Sequence, residues 1–420
     1  MSNNALLTYA QAAAFVAKRA ERLARSKPAT ERVTLTSAAG RVLAETLRAD
    51  TDQPPFARST RDGFACRAAE ASAHRPLAVA GSTRAGDPPT GPLPRGAAWE
   101  IMTGAPVPRG ADAVIMLEHV ESAHVEAAGS PSSPSVRLLP PRTIKKGENI
   151  VPRGAQARKG SALLPAGTLI GAAQIALAAS CGCAELTVYA KPRVAILSTG
   201  DEVVPIGETP GPFHIRNSNS ISLAAQVRLA GGEPVLLGNA LDRSDDLGAK
   251  VEQGLREDVL VLSGGVSMGK YDLVESVLQA MGAEFFFDAV AIRPGKPTVF
   301  ARCRDAFVFG LPGNPVSTMV TFLLFVVPVI DLLSGAPARP LPLLEATLAE
   351  PLKEKPGLTH FLPARVEWRG ESAEVRPLRW HGSGDIAALS RANCFLVVPA
   401  DRQDIAAGER VSVLPRSDVL

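Results

Sequence analysis

The chain has 420 residues, 46% of them hydrophobic and 21% charged. At about 150 residues per domain this leaves room for two to four domains with real cores, and it argues against a disordered chain. The 45 Lys and Arg nearly balance the 42 Asp and Glu, for a net charge of +3. That balance argues against a general nucleic-acid binder, and an aromatic content of 5% argues against a base-stacking platform.

The N-terminus, MSNNALLTYAQAAAF, lacks a basic region followed by a long apolar core, so no signal peptide is expected. Leu, Phe and Val at helical spacing in an Ala-rich stretch predict a helix over residues 5–26, with Thr8 as a cap and Pro28 as a stop. A short apolar segment at 33–47 leads into DQPPF, where Pro54 and Pro55 force an extended path. From about 57 to 150, short runs such as PLAVAG and DAVIMLEHV alternate with Gly/Pro turns and predict a β-rich domain. Residues 127–136 read as a polar hairpin tip or loop, and 168–180 as a helix ending near Gly182.

Residues 189–334 alternate strands with helices. The expected strands are 193–200, EPVLLGNAL, 258–265, 284–292 and 306–310. The expected helices are 221–232, DDLGAKVEQGLRE, YDLVESVLQAMG and 316–333. This alternation implies a parallel α/β sheet, with ligands beyond the C-terminal strand ends. The most apolar run, Met319 to Ile330, is too short to span a bilayer and contains Pro328, so it reads as a buried helix rather than a membrane segment. Beyond SGAPARP the short alternating segments predict a small β-barrel or sandwich of about 80 residues.

Five cysteines, at positions 66, 181, 183, 303 and 394, include no CxxC pair and read as reduced, buried thiols of a cytoplasmic protein. Six scattered histidines make no HExxH motif, and His119 and His124 read as surface residues. No Ser/His/Asp or Cys/His triad is legible.

The strongest chemical signal is SGGVSMGKYD at 263–272, after an apolar strand. Gly264 and Gly265 let backbone N–H groups approach an anion, Ser263 and Ser267 add hydroxyls, and a following helix would aim its positive end there. The pattern suits a phosphate; the same glycines also make a plain strand-to-helix turn. STGDE at 198–202 ends the first strand of that sheet. Its Asp201 and Glu202 suit Mg²⁺, which takes oxygen ligands together with substrate phosphates, or form an ordinary acidic loop. Arg293 and Lys296 flank a Pro-Gly turn in IRPGKP and could grip an oxyanion or stand solvated. GLPGNP supplies a stiff turn with Pro312 and Pro315 before the buried helix. Asp62 in STRDGFA and Thr103 in IMTGAPVP are small polar groups on turns.

Nine motifs occur in one order: DQPPF, STRDGFA, IMTGAPVP with GADAVI, KGENI, STGDE, SGGVSMG, RPGKP, GLPGNPVS and GSGDIAALSRAN. Together they resemble the molybdopterin molybdenumtransferase family (MoeA in bacteria, the E domain of gephyrin) over nearly the whole chain. The resemblance implies a multidomain α/β plus β fold. A discontinuous helical and linker domain takes 1–45 and 151–188, and a β-rich domain takes 46–150. A three-layer α/β molybdopterin-binding domain with a parallel-rich sheet takes 189–334, and a C-terminal β-barrel takes 335–420.

It also implies a cytoplasmic homodimer, bringing Asp62 and Thr103 to a partner's STGDE loop. The implied substrate is adenylylated molybdopterin, which receives molybdenum from molybdate on its dithiolene with Mg²⁺ assisting and AMP leaving. Molybdopterin adenylyltransferase and recipient molybdoenzymes are implied partners; nucleic acid and membrane are not. Asp62, Thr103, Glu202 and Asp272 would be catalytic, and Asp201, Glu202 and Asp272 would hold metal. Ser263, Gly264, Gly265, Ser267, Arg293, Lys296, Pro312 and Pro315 would bind substrate.

The chain departs from the family pattern at several positions. Arg61 stands for Met, Ala57 for an acid, and Ala155 and Gln156 for the acids of GED. Asn217 stands for the Asp of a YDSN-like motif, Lys270 for Glu, and Arg293 and Ala289 for Lys. Losing these charges points to an alternative, a diverged paralogue that binds or carries the cofactor or handles another oxyanion such as tungstate.

Overall fold

The structure is a computed structural model that describes residues 6–24, 29–88, 91–125, 133–265, 273–337, 341–370, 372–416 and 418. Its contacts divide into two compact units. One takes Met1–Ala44, Gly167–Gly171 and Glu185–Leu420; the other takes Glu45–Ala166 and Ala172–Ala184.

In the first unit an N-terminal helix α1 (Tyr9–Ala24) precedes the sheet. The sheet strands are β1 (Arg193–Thr199), β2 (Glu233–Ala240), β3 (Val259–Ser263), β4 (Glu284–Phe287), β5 (Val299–Cys303) and β6 (Ala306–Leu311). Helices α2 (Ser218–Leu229), α3 (Ser244–Gly254), α4 (Leu273–Ala280) and a long α5 (Pro315–Leu333) fill the connections. An apolar strand without alternation must be covered on both faces. Accordingly Val194 and Ile196 of β1 face a core with α1, α2 and α5, while Ala195 and Leu197 face a second core with α3 and α4. In α1, Ala12, Val16 and Ala20 repeat every fourth residue as one buried stripe.

The strand order is β2-β1-β3-β6-β5-β4. The first four run parallel, but β5 and β4 add antiparallel to the edge, so the sheet is parallel-rich rather than parallel throughout. Strand β5 was not expected from the sequence. It is squeezed between the PGKP turn and Arg304, which adopts a positive φ of 54°, and it pairs with β6 as a hairpin. The strand expected over 284–292 stops at Phe287. The helix expected from 221 begins three residues earlier, at Ser218, because Asn217 caps it.

The apolar run forms α5, 19 residues with a mean hydropathy of 2.3. Most of it, 72%, is buried inside the fold, so it is a core helix. Its middle, Phe322–Val326, widens to a π turn just before Pro328. Such a turn accommodates the proline ring, which lacks an N–H and crowds the preceding turn.

The C-terminal strands are β7 (Leu344–Leu348), β8 (Thr359–Arg369), β9 (Ser372–Pro377), β10 (Cys394–Val398) and β11 (Arg410–Pro415). They pair in the cycle β8-β9-β7-β11-β10-β8, which closes a five-stranded barrel. Ile292–Arg293 adds parallel to the start of β8, so the RPGKP turn is tethered to the barrel.

The second unit is built on a six-stranded sheet with the spatial order Ala113–Met116, Gly63–Cys66, Ala97–Ile101, Leu77–Thr83, Ser133–Leu138, Val120–Val125. Besides a single turn at Ala68–Ala71 it carries a helix over Ala172–Ser180, four residues shorter at the start than expected. Of the polar tip expected over 127–136, residues 127–132 lie outside the described residues, whereas 133–136 belong to the strand Ser133–Leu138, which pairs back on Val120–Val125.

Candidate functional site

Where β1 and β3 end, the chain must turn sharply into loops, and it does so with glycine. Gly264 and Gly265 have φ of 95° and 65°, backbone that side chains rarely adopt. A Cβ on Gly264 would lie 2.8 Å from the carbonyl oxygen of Thr199, and one on Gly265 would lie 2.7 Å from Thr199 Oγ1. A Cβ on Gly313, in the loop after β6, would lie 3.5 Å from Gly264 Cα. Three loops therefore meet closely, with room for no side chain at Gly264 or Gly265.

They wall a pocket of about 830 Å³ at the C-terminal strand ends. Helix α2 supplies its side. Asn217 Oδ1 caps α2 by accepting from Ser220 N at 3.1 Å, and also accepts from Ser198 Oγ at 3.0 Å. Two residues on, Asn219 Nδ2 donates to Ser263 Oγ at 2.9 Å and to the Gly313 carbonyl at 2.7 Å. Thr199 Oγ1 and Asn219 Oδ1 are buried in these walls without a hydrogen-bond partner among the described residues. Buried polar atoms are nearly always satisfied, so such orphans point to a bound group.

The acidic side of the pocket is Glu202 and Asp242. Asp242 N donates to Asp201 Oδ1 at 3.0 Å, which brings the three carboxylates together. Burial, then the negative charges of Asp201 and Glu202, push the Asp242 carboxyl above its ordinary value. Carboxylates this close repel one another, which is the field a divalent cation relieves. Among the described residues no group of three or more His, Cys, Asp or Glu forms a ready metal cage. The oxygen donors nevertheless fit Mg²⁺, which binds through one or two carboxylates and keeps most of its waters.

Glu202, Ser263, Gly264, Gly265, Pro312 and Pro315 thus line one pocket. Asp201 stands behind it, bonded to Asp242. Arg293 and Lys296 are exposed and do not line it, although Pro297 of the same turn does. The barrel pairing holds Arg293 on its own strand, which explains the separation. Ser267 and Asp272 lie outside the described residues. Sequence reasoning missed Thr199, Asn219 and Asp242. Asp242 follows the end of β2, so the strand-end rule that picked out STGDE could have found it.

Asp62 and Thr103 belong to the second unit, where they meet. Thr103 donates from its backbone N at 2.6 Å and from Oγ1 at 2.9 Å to Asp62 Oδ1. The Thr103 amide first, then its hydroxyl, hold the Asp62 carboxyl below its ordinary range. Gly63 fixes the position of Asp62, because any Cβ there would lie 1.8 Å from the Ile115 carbonyl oxygen. Ser59, buried, ties the loop by donating to the Arg61 carbonyl at 2.6 Å.

A glycine-walled pocket beside carboxylates, at the strand ends of a parallel-rich sheet joined to a five-stranded barrel, defines a multidomain α/β protein with its candidate site where such sheets bind ligands. Residues 7–182 match the MoeA N-terminal region (domain I and II), 195–332 a probable molybdopterin binding domain, and 345–415 the MoeA C-terminal region (domain IV). The chain is 36% identical over 396 residues to the molybdopterin molybdenumtransferase of Bacillus subtilis, covering 92% of this chain and 89% of that one. It is 33% identical over 395 residues to that of Haemophilus influenzae, covering 93% and 95%. A molybdopterin biosynthesis moeA structure from Pyrococcus horikoshii superposes with a TM-score of 0.81 at 27% identity, covering 98% of this chain and 100% of that one. The chain belongs to the molybdopterin molybdenumtransferase family, a family of transferases of molybdenum cofactor biosynthesis.

Proposed function

We propose that the protein transfers molybdenum from molybdate to the dithiolene of adenylylated molybdopterin and releases AMP. One observation carries this reading: a single pocket joins a glycine cradle to the Glu202 and Asp242 carboxylates, whose mutual repulsion with Asp201 a divalent cation would relieve. The Gly264-Gly265 turn and the Ser263 hydroxyl would hold the phosphate on the pterin side of the pyrophosphate. Glu202 and Asp242, with Asp272 expected from the sequence, would hold Mg²⁺, which when bound draws charge off the pyrophosphate oxygens. Water adds across the P–O–P bond, leaving one phosphate on molybdopterin and one on AMP.

Arg293 and Lys296 have no ion-pair partner among the described residues and suit an oxyanion such as molybdate. Asp62, held below the ordinary carboxylate range, is a poor proton acceptor near pH 7. It therefore suits orientation or cation binding better than water activation. Following the family resemblance, Asp62 and Thr103 of one subunit would serve the pocket of a second copy in a homodimer. An adenylyltransferase acting on molybdopterin would supply the substrate, and molybdoenzymes would receive the product. All five thiols are free, as suits the cytoplasm.

The test is anaerobic incubation of the purified protein with adenylylated molybdopterin, Mg²⁺ and molybdate, measuring AMP released and molybdenum bound to pterin. Release of AMP together with molybdenum incorporation is expected. Tight binding without AMP release would overturn the transferase reading in favour of a cofactor carrier.

A further inference from the structure

Building on the reading of the pocket as a phosphate cradle, we propose that Asn219 is a positioning residue that turns the Ser263 hydroxyl into a donor toward the bound anion. The argument starts from which end of the amide faces the loops. Asn219 lies 2.7 Å from the Gly313 carbonyl, which can only accept, so its nitrogen must point there. The two amide hydrogens are then both committed, one to Gly313 O and the other to Ser263 Oγ at 2.9 Å.

Ser263 therefore accepts from Asn219 and keeps its own proton free. It has no other hydrogen-bond partner among the described residues, is 3% exposed, and sits at the end of β3 on the pocket wall beside Gly264. An oxyanion seated at the Gly264-Gly265 turn is the acceptor that this proton lacks. A carboxylate at position 219 would reverse the arrangement: Ser263 would donate to it and present lone pairs to the anion.

The same amide spans the two glycine loops, which lie close enough for a Gly313 Cβ to reach within 3.5 Å of Gly264 Cα. Folding alone does not account for the placement. Asn219 Oδ1 is buried without a partner among the described residues, which is unfavourable for folding, so the amide is kept there for its two donors.

The test is a double-mutant cycle of Ser263→Ala and Asn219→Ala, with Asn219→Asp added. It is read by KM and kcat for adenylylated molybdopterin and by the dissociation constant for inorganic phosphate. Each alanine variant should weaken phosphate binding and raise KM by about tenfold, the loss expected of one hydrogen bond to a charged group. The double variant should lose about tenfold as well, not a hundredfold, because Asn219 acts through Ser263. Asn219→Asp should bind phosphate more weakly than Asn219→Ala, while Ser263→Ala should blunt that difference. The thermal midpoints should stay close to wild type.

Additive losses, an Asn219→Asp variant that binds like wild type, or a wild type that binds no phosphate would overturn the proposal. A non-additive phosphate cycle in a protein that releases no AMP would support it and sink only the transferase reading.

Discussion

Alanine at Gly265 should disable the pocket while leaving the chain folded. A Cβ at this position would lie 2.7 Å from Thr199 Oγ1 and 3.0 Å from Val274 Cγ2, on backbone at φ 65°. The left-handed backbone costs about 1 kcal/mol for a residue with a Cβ. The crowding adds about 1–3 kcal/mol, as overpacking does elsewhere. Gly370 separates the two contributions. Its φ is 64° and nothing lies within 4 Å of its Cβ, so Gly370→Ala carries only the backbone cost.

Both glycines belong to the same compact unit, so denaturant unfolding of the intact chain compares them on the same transition. Gly265→Ala should be less stable than Gly370→Ala by about 1–3 kcal/mol. The strain is relieved by turning the Thr199 and Val274 side chains or by moving the turn off Thr199, and moving the turn misaligns its N–H groups. Affinity for adenylylated molybdopterin should then fall by about 10- to 100-fold, while Gly370→Ala binds normally. Equal stability and equal affinity in the two variants would refute the claim that this turn is a packed cradle.

Asp62→Asn should cut AMP release by about a hundredfold or more in a folded protein, because it removes the charge that Thr103 orients; undiminished turnover would refute that role. Asp242→Asn should raise stability by about 0.5–1 kcal/mol at neutral pH by removing repulsion from Asp201 and Glu202, while weakening Mg²⁺ dependence of turnover. The sign also sets a pH dependence. A carboxyl raised in the fold takes up its proton more readily there than when unfolded, so wild type gains stability from Asp242 as pH falls through the raised value toward 3.8. Asp242→Asn should lose that gain, and pH-dependent denaturation of both proteins measures it. Asn217→Ala should cost about 1 kcal/mol through the lost cap, whereas Asn217→Asp should stay within about 0.5 kcal/mol, since Asp caps as well as Asn. Thermal unfolding of the two variants checks the pair.

The strands buried on both faces were legible because their apolar runs are uninterrupted, and the strand-end rule then placed STGDE and SGG at one pocket. What escaped was set by tertiary contact. Strand β5 has only five residues and finds its partner across a turn. The cationic turn was expected at the anion site, but its Arg293 pairs with the barrel, a contact between segments more than sixty residues apart. Asn219 falls just before the helix expected from 221 and carries no motif signal of its own. Its meaning lies in reaching Ser263 and Gly313 at once, and sequence spacing does not reveal that.

The departures from the family pattern take on different weights once each residue has a place. Asn217 accepts two hydrogen bonds through its oxygen, from Ser220 N and from Ser198 Oγ, and both need only an acceptor. Loss of the charge there leaves the local structure intact, so any functional cost must come from the field in the pocket, which Asn217 also lines. Ala155 and Gln156 are exposed, and the loop is held by backbone bonds from Gly154 N to the Pro54 carbonyl and from Gln156 N to the Gln53 carbonyl. No side-chain acid is needed to keep that loop in shape. Restoring an acid at any of these positions is therefore a change of charge on a nearly fixed frame. Its effect on turnover can be read as electrostatics, with Glu202 and Asp242 already supplying the carboxylates nearest the cradle.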